Sequence, residues 1–278
     1  TMKIDSHQHF WIFNQSEYDW IDDSMINIRR DFLPGHLATE LGKLGFDGSI
    51  AVQARQSLEE TEWLLHLAES NPIIKGVVGW VDLQSVDVYS QLEKYSRHTR
   101  FVGVRHVVQD EAYDDFILRE NFNRGISYLK EFNLTYDILV FPKQLPYAVR
   151  FIEKHPDLTF VLDHIAKPFI KKGLLSPWKE DIQRISLFPN VFCKVSGMVT
   201  EADWHNWKPD DFKPYLDVIV NSFGTDRVMI GSDWPVCLVA GEYSKVMNIV
   251  LDYISGFSEE DKSKISGINC IKAYRITP

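Results

Sequence analysis

Eight times along the chain, a short run of apolar and β-branched residues gives way to a stretch with helical spacing. The runs read 3–9, 48–53, 76–82, 102–107, 135–140, 159–164, 191–196 and 228–233. Several are almost unbroken in hydrophobicity, which marks strands covered on both faces rather than strands with one wet side. Strands that alternate with helices in this way build a parallel sheet, and eight of them suit closure into an α/β (β/α)8 barrel. The stretches between them carry helix signals. Ser57-Leu58-Glu59-Glu60 reads as a capping box ahead of an apolar face made by Trp63, Leu64, Leu67 and Ala68. Tyr147, Ala148, Phe151 and Ile152 repeat that spacing before His155-Pro156, and Ser258 starts a last helix. An open doubly wound sheet would want a glycine-rich phosphate loop after its first strand, but His7-Gln8-His9 stands there.

No low-complexity linker or internal repeat divides the 278 residues, so the expectation is one barrel domain over 1–278. Two connections exceed what a barrel needs, at about residues 10–34 and 197–212. Both leave strand C-terminal ends, the face where such barrels hold their sites. They are rich in aromatics, including Trp11, Trp20, Trp204 and Trp207. That suits walls over a small ligand, and equally the private core a long loop requires.

Composition excludes several classes. The 30 Lys plus Arg against 39 Asp plus Glu leave a formal charge of −9, without a basic run for nucleic acid or an anionic membrane. Three scattered cysteines fit a reducing compartment, and no apolar stretch is long enough to span a bilayer. A cytoplasmic protein is expected, and a homo-oligomer is compatible with these data.

The chemistry gathers at strand ends. His7 and His9 lie two apart, so both imidazoles face one side, and Asp5 falls on the same parity as a candidate tautomer-fixing acceptor. Arg105-His106 closes the fourth strand, Asp163-His164 the sixth, and Asp233 the eighth; Asp137 lies in the fifth and Lys194 in the seventh. By alternation Lys194 faces the lumen only if Cys193 faces the helices. Burying titratable groups in such a set is costly without a purpose.

These residues resemble the amidohydrolase superfamily: HxH on the first strand, polar residues ending strands four to six, and an Asp ending strand eight. Five blocks resemble its sugar-lactonase branch: Asp5-Ser6-His7-Gln8-His9-Phe10-Trp11, Gly103-Val104-Arg105-His106, Asp163-His164-Ile165-Ala166-Lys167-Pro168, Cys193-Lys194-Val195-Ser196-Gly197 and Gly231-Ser232-Asp233-Trp234-Pro235. The resemblance implies opening of an aldonolactone, such as a deoxysugar lactone, to the free acid, with Asp233 as general base. Arg105, Lys194 and His164 are then the candidates for stabilising the oxyanion. His7, His9, Trp11, Arg29, His106 and Trp234 are expected to bind substrate.

One departure bears on cofactors. Where binuclear members carry a bridging Lys or Glu and a strand-five His, this chain has Arg105 and Tyr136-Asp137-Ile138. Arginine cannot be carbamylated and brings fixed charge. The expectation is therefore no metal or one divalent ion, zinc first, on His7, His9 and Asp233 with His164 as a further ligand, and no organic cofactor. Two rivals stand beside the lactonase: a metal-dependent decarboxylase of a small aromatic or unsaturated acid on the same barrel, and a barrel that binds a small ligand without turning it over.

Overall fold

The computed structural model describes residues 1–277. Eight parallel strands follow one another around a single sheet: β1 (Ile4–Gln8), β2 (Gly48–Val52), β3 (Ile74–Gly79), β4 (Phe101–His106), β5 (Thr135–Ile138), β6 (Phe160–Leu162), β7 (Val191–Val195) and β8 (Val228–Ile230). The outer ring runs α1 (Pro34–Leu44), α2 (Leu58–Ser70), α3 (Val88–Ser96), α4 (Glu120–Tyr128), α5 (Leu145–Glu153), α6 (Trp178–Ser186), α7 (Pro209–Phe223) and α8 (Tyr243–Tyr253). The barrel closes where β1 meets the segment after β8. There the Asp233 amide donates to the His7 carbonyl (2.8 Å) and the His9 amide to the Trp234 carbonyl (2.7 Å). Gly231 lets the strands approach closely at this seam, where a Cβ would stand 3.0 Å from the His7 Cβ and from Ser6 Oγ.

Two apolar layers hold the barrel. One lies between the sheet and the helices and includes Ala51, Val77, Val104, Tyr136 and Cys193. The other fills the lower lumen with Ile50, Val52, Val78, Val161 and Met229. A C-terminal segment plugs that lower end. It runs through α9 (Glu259–Ser263), a π-helical turn (Lys264–Ile268) and α10 (Asn269–Tyr274), and buries Cys270, Ala273 and Tyr274 against the lumen layer.

The strands stop earlier than the apolar runs suggest. β6 ends at Leu162 and β8 at Ile230, so Asp163, His164 and Asp233 lie just beyond the ladder. The backbone there leaves the extended region. His164, Ile165, Ala166 and Lys167 have φ of 53°, 48°, 58° and 49°, and Asp233 has φ of 57°. Four consecutive non-glycine residues in a left-handed turn are costly for L-amino acids, and such strain collects at functional sites. The Trp178 indole N–H, donating 2.7 Å to the Ile165 carbonyl, helps hold this turn from α6.

Alternation succeeds on β7, where Lys194 enters the lumen and Cys193 packs toward the helices. It fails on β1. The register shifts between Asp5 and Gln8, and Asp5 turns outward to accept from Tyr243 Oη of α8 (3.2 Å) and Ser232 Oγ (2.6 Å). Asp5 also accepts from the amides of His7 (3.2 Å) and Ser232 (2.9 Å). It thus pins the seam's backbone and touches no imidazole, which corrects the tautomer role expected from parity.

Candidate active site

At the C-terminal face of the barrel a cavity of about 770 Å³ opens among the loops. His9, Arg105, His164 and Asp233 line it, together with Trp20, Met25, Arg55, Lys167, Glu201 and Trp204. Asp233 stands at its floor amid three histidines. Its Oδ1 lies 3.2 Å from His9 Nε2, 3.8 Å from His7 Nε2 and 3.9 Å from His164 Nε2. Burial alone would raise this carboxyl, but His164, the hydrogen bond with His9, and His7 outweigh it and hold it well below the usual carboxylate range. His164, by contrast, is pushed down to about 4, chiefly by burial against the opposing pull of Asp233 and Asp163. The site therefore holds an ionised carboxylate beside a neutral imidazole.

His9 has its tautomer set by the fold. Its Nδ1 lies 2.8 Å from the Val52 carbonyl, an acceptor only, so Nδ1 carries a proton, and Nε2 faces Asp233 and, 3.2 Å away, His7 Nε2. Imidazole nitrogens and a carboxylate converging on one point make a place for a cation. His7, His164 and Asp233 offer ligand atoms all within 4.8 Å of one another, and the imidazole–carboxylate chemistry is that of zinc. The residues present fit one divalent ion. His164 is seated by Ser196 Oγ at 2.8 Å from Nδ1 and by Gly197, whose φ is 60° and where a Cβ would come within 2.5 Å of that nitrogen.

Beneath the cavity lies a second polar set, of which Arg105 alone reaches the lining. Lys194 Nζ donates to Asp137 Oδ2 (2.6 Å) and reaches Asp163 Oδ1 (3.1 Å) and His7 Nδ1 (3.2 Å). Tyr274 Oη, from α10, donates to Asp137 at 2.8 Å. Arg105 places Nη1 3.0 Å from Asp163 Oδ2, and gives Nε and Nη2 to the side chain and carbonyl of Gln53, both at 2.7 Å. Burial would raise Asp163, but Lys194, His7 and Arg105 together keep it well below the ordinary range. Asp137 is pushed up, by burial first.

The expected site residues thus divide. Asp233, His164, His9 and Arg105 meet at the cavity, with His7 directly behind. Lys194 is 0% exposed and its three N–H groups face Asp137, Asp163 and His7, so it orients His7 and cannot reach an oxyanion. His106 points the other way, stacked on Phe116 with ring centroids 5.0 Å apart and with Nε2 2.6 Å from Glu111. Trp11 and Trp234 are buried among Phe10, Tyr18 and Phe32, the private core of the 10–34 loop. Arg29 pairs with Asp23 outside the cavity.

Sequence reasoning missed Asp163 as the hub, and Lys167 and Glu201 as cavity walls. It also gave Glu60 only a capping role. Ser57 Oγ does accept from the Glu60 amide (3.2 Å), but the Glu60 carboxylate turns instead to the amides of Ala54 (2.8 Å) and Arg55 (3.1 Å). It holds the β2–α2 loop against the cavity, and burial raises it to about 7. The available signal was the block 163–168 as a whole, five of whose members prove to be wall, hub or turn.

Comparison with known proteins agrees with this geometry. The amidohydrolase family profile matches residues 4–276. The chain is 37% identical to an L-fucono-1,5-lactonase of Burkholderia multivorans, covering 99% of this chain and 97% of that one. It is 36% identical to an L-fucono-1,5-lactonase of Burkholderia ambifaria, over 87% and 83% of the two chains. A crystal structure of a B. multivorans amidohydrolase with bound zinc superposes with a TM-score of 0.96 at 36% identity, covering 100% of each chain.

Proposed function

The chain belongs to the amidohydrolase family, and we propose that it is a lactonase that opens a neutral sugar lactone, of the deoxyaldono-1,5-lactone type, to the free acid. The observation that carries this reading is Asp233, an ionised carboxylate facing three imidazoles at the floor of an open cavity. The substrate class follows from the two Burkholderia relatives, named for L-fucono-1,5-lactone.

His7, His164 and Asp233, with His9 beside them, would hold a divalent ion such as zinc, which supplies Lewis-acid polarisation of the carbonyl when bound. The rest is done by the chain. Asp233 orients the attacking water and takes its proton as the water oxygen bonds to the lactone carbonyl carbon. The ring C–O bond then breaks, and the proton returns from Asp233 to the departing ring oxygen. The new carboxylic acid loses its proton to solvent. Arg105, fixed by Asp163 and Gln53, brings the permanent positive charge that favours the oxyanion. The indoles of Trp20 and Trp204 donate to the carbonyls of Ala54 (3.0 Å) and Thr200 (2.9 Å), which fixes them as walls for the sugar's C–H faces.

We read residues 1–278 as one catalytic domain. The three cysteines are buried and free, in keeping with a reducing cytoplasm, and among the described residues no helix is long and apolar enough to cross a membrane. The test is hydrolysis of sugar 1,4- and 1,5-lactones followed with a pH indicator, with and without chelator, after subtracting spontaneous opening. Turnover of a neutral deoxyaldonolactone that is lost in Asp233→Asn supports the reading. Carbon dioxide release from an aromatic acid without lactone opening, or lactone binding without turnover, overturns it.

A further inference from the structure

The cavity wall carries six carboxylates and three cations. Two of the cations are already engaged: Arg105 with Asp163 at 3.0 Å, and Arg55 with Glu17 at 3.5 Å. The third, Lys167, has no carboxylate within 4 Å among the described residues. It is half-buried, with Nζ 5.4 Å from the centre of the Phe141 ring. It also sits at the end of the left-handed turn that carries His164, so backbone strain fixes its position relative to the catalytic floor.

Glu201, on the neighbouring loop after β7, lines the same cavity. It too is half-buried, and its surroundings are Lys167, Asp233 and the Thr200 hydroxyl. Lys167 and Glu201 therefore act on each other electrostatically without touching. A partly desolvated ammonium and carboxylate left apart in a ligand cavity both want a partner. A hydroxyl satisfies both, because it accepts from the ammonium and donates to the carboxylate. A second carboxylate would satisfy Lys167 but be repelled by Glu201 and Asp233. A bare C–H would satisfy neither.

We propose that Lys167 and Glu201 form the specificity-determining pair of the cavity, bridged by a ring hydroxyl of a neutral lactone and set against lactones that carry a second carboxylate. This rests on the lactonase reading and names what that site selects. It has a corollary for turnover. Ring opening creates an anion in a wall where carboxylates outnumber cations two to one, and Glu201 helps to expel it.

The test uses the full-length protein and three probes: a neutral deoxyaldono-1,5-lactone, analogues each lacking one ring hydroxyl, and a monolactone bearing a free terminal carboxylate. Lys167→Met and Glu201→Gln should each lower kcat/KM on the neutral lactone by about 10–100-fold, the scale of one hydrogen bond to a charged group. One deoxy analogue should lose as much with the unaltered protein and lose no more in either variant. Glu201→Gln should also improve the carboxylate-bearing lactone relative to the neutral one, and weaken inhibition by the neutral lactone's own acid product less than substrate turnover. Equal losses on every lactone, or none, overturn the pair; melting curves show that the variants are folded. Calorimetry with the neutral lactam, shown to be intact after incubation with the protein, separates the two levels of the argument. Lactam binding that needs Glu201 and the same hydroxyl upholds the pair even where no lactone is turned over. Lactam binding indifferent to both overturns it even where hydrolysis is robust.

Discussion

The floor of this barrel's lumen, below the cavity, and its rim, the lining of the cavity itself, hold similar residues to opposite ends. On the floor, Lys194, Asp137, Asp163 and Tyr274 are wholly buried and turned toward one another. At the rim, His9, His164, Lys167, Glu201 and Asp233 are just as titratable, but each keeps an atom directed into the cavity. The difference teaches that burial of charge does not by itself mark chemistry. A charge whose partners all belong to the chain sets geometry, and a charge that lacks one is waiting for a ligand.

The comparison can be broken most directly at Asp233. Asp233→Asn removes the proton acceptor from a wall that otherwise stands, so kcat should fall about 1,000-fold or more while the melting temperature moves little. A loss of folding comparable to the loss of rate would mean that rim and floor do not differ. The reverse substitution is Lys194→Met. It leaves buried Asp137 without a cation and Asp163 with Arg105 alone, and denaturant unfolding should show about 3–5 kcal/mol of lost stability. If that variant is as stable as the parent but slower, Lys194 belongs to the rim.

Glu60 sharpens the boundary, because it is buried like a floor residue yet holds a rim loop. Its carboxyl rises from the ordinary 4.5 to about 7 on folding. Between those values the folded protein binds more protons than the unfolded one, so this group's contribution to stability is full below 4.5 and is lost as pH rises through 7. The cost above the window is about 3 kcal/mol at most. Glu60→Gln should remove that slope from a melting series between pH 4.5 and 8, leaving the variant relatively more stable at the alkaline end; parallel series for both proteins would refute the assignment. The smallest effect is expected at Trp204. Trp204→Ala should raise KM about 10-fold through the lost stacking face, with kcat nearly unchanged. A matching fall in kcat would give the indole a part in the reaction itself.

Much of this was legible in the residues. Eight apolar runs gave the barrel, and two-residue alternation put Lys194 inside and Cys193 outside. Alternation failed at Asp5 because one irregular register in β1 flips every residue below it, and nothing in Asp5-Ser6-His7 announces the slip. The turn at His164–Lys167 was hidden for a related reason. Left-handed backbone is read from glycine, and this stretch has none; Trp178 and Gly197, both distant in sequence, hold it. Lys167 and Glu201 were invisible as a pair because the paths of the loops after β6 and β7, which residue spacing does not give, bring both to the same opening.

The plug at the bottom of the barrel has a consequence for how the chain must be made. Tyr274 donates to Asp137, the Thr135 hydroxyl donates to the Ala273 carbonyl at 2.6 Å, and Gly267 lies so close to the Met2 carbonyl that a Cβ would come within 1.9 Å. A ribosome that has delivered seven strands has therefore delivered Lys194 and both its aspartates, but not the hydroxyl that shares Asp137 or the helix that shuts out water. Strand one waits longest, since its neighbours across the seam and below it belong to the segment after β8 and the one around Gly267, far later in the chain. The protein completes its most highly charged interior only when α10 packs beneath the strands, so a nascent chain stopped some ten residues before Tyr274 should leave that interior wet, open to proteases and unable to hold His7 in place.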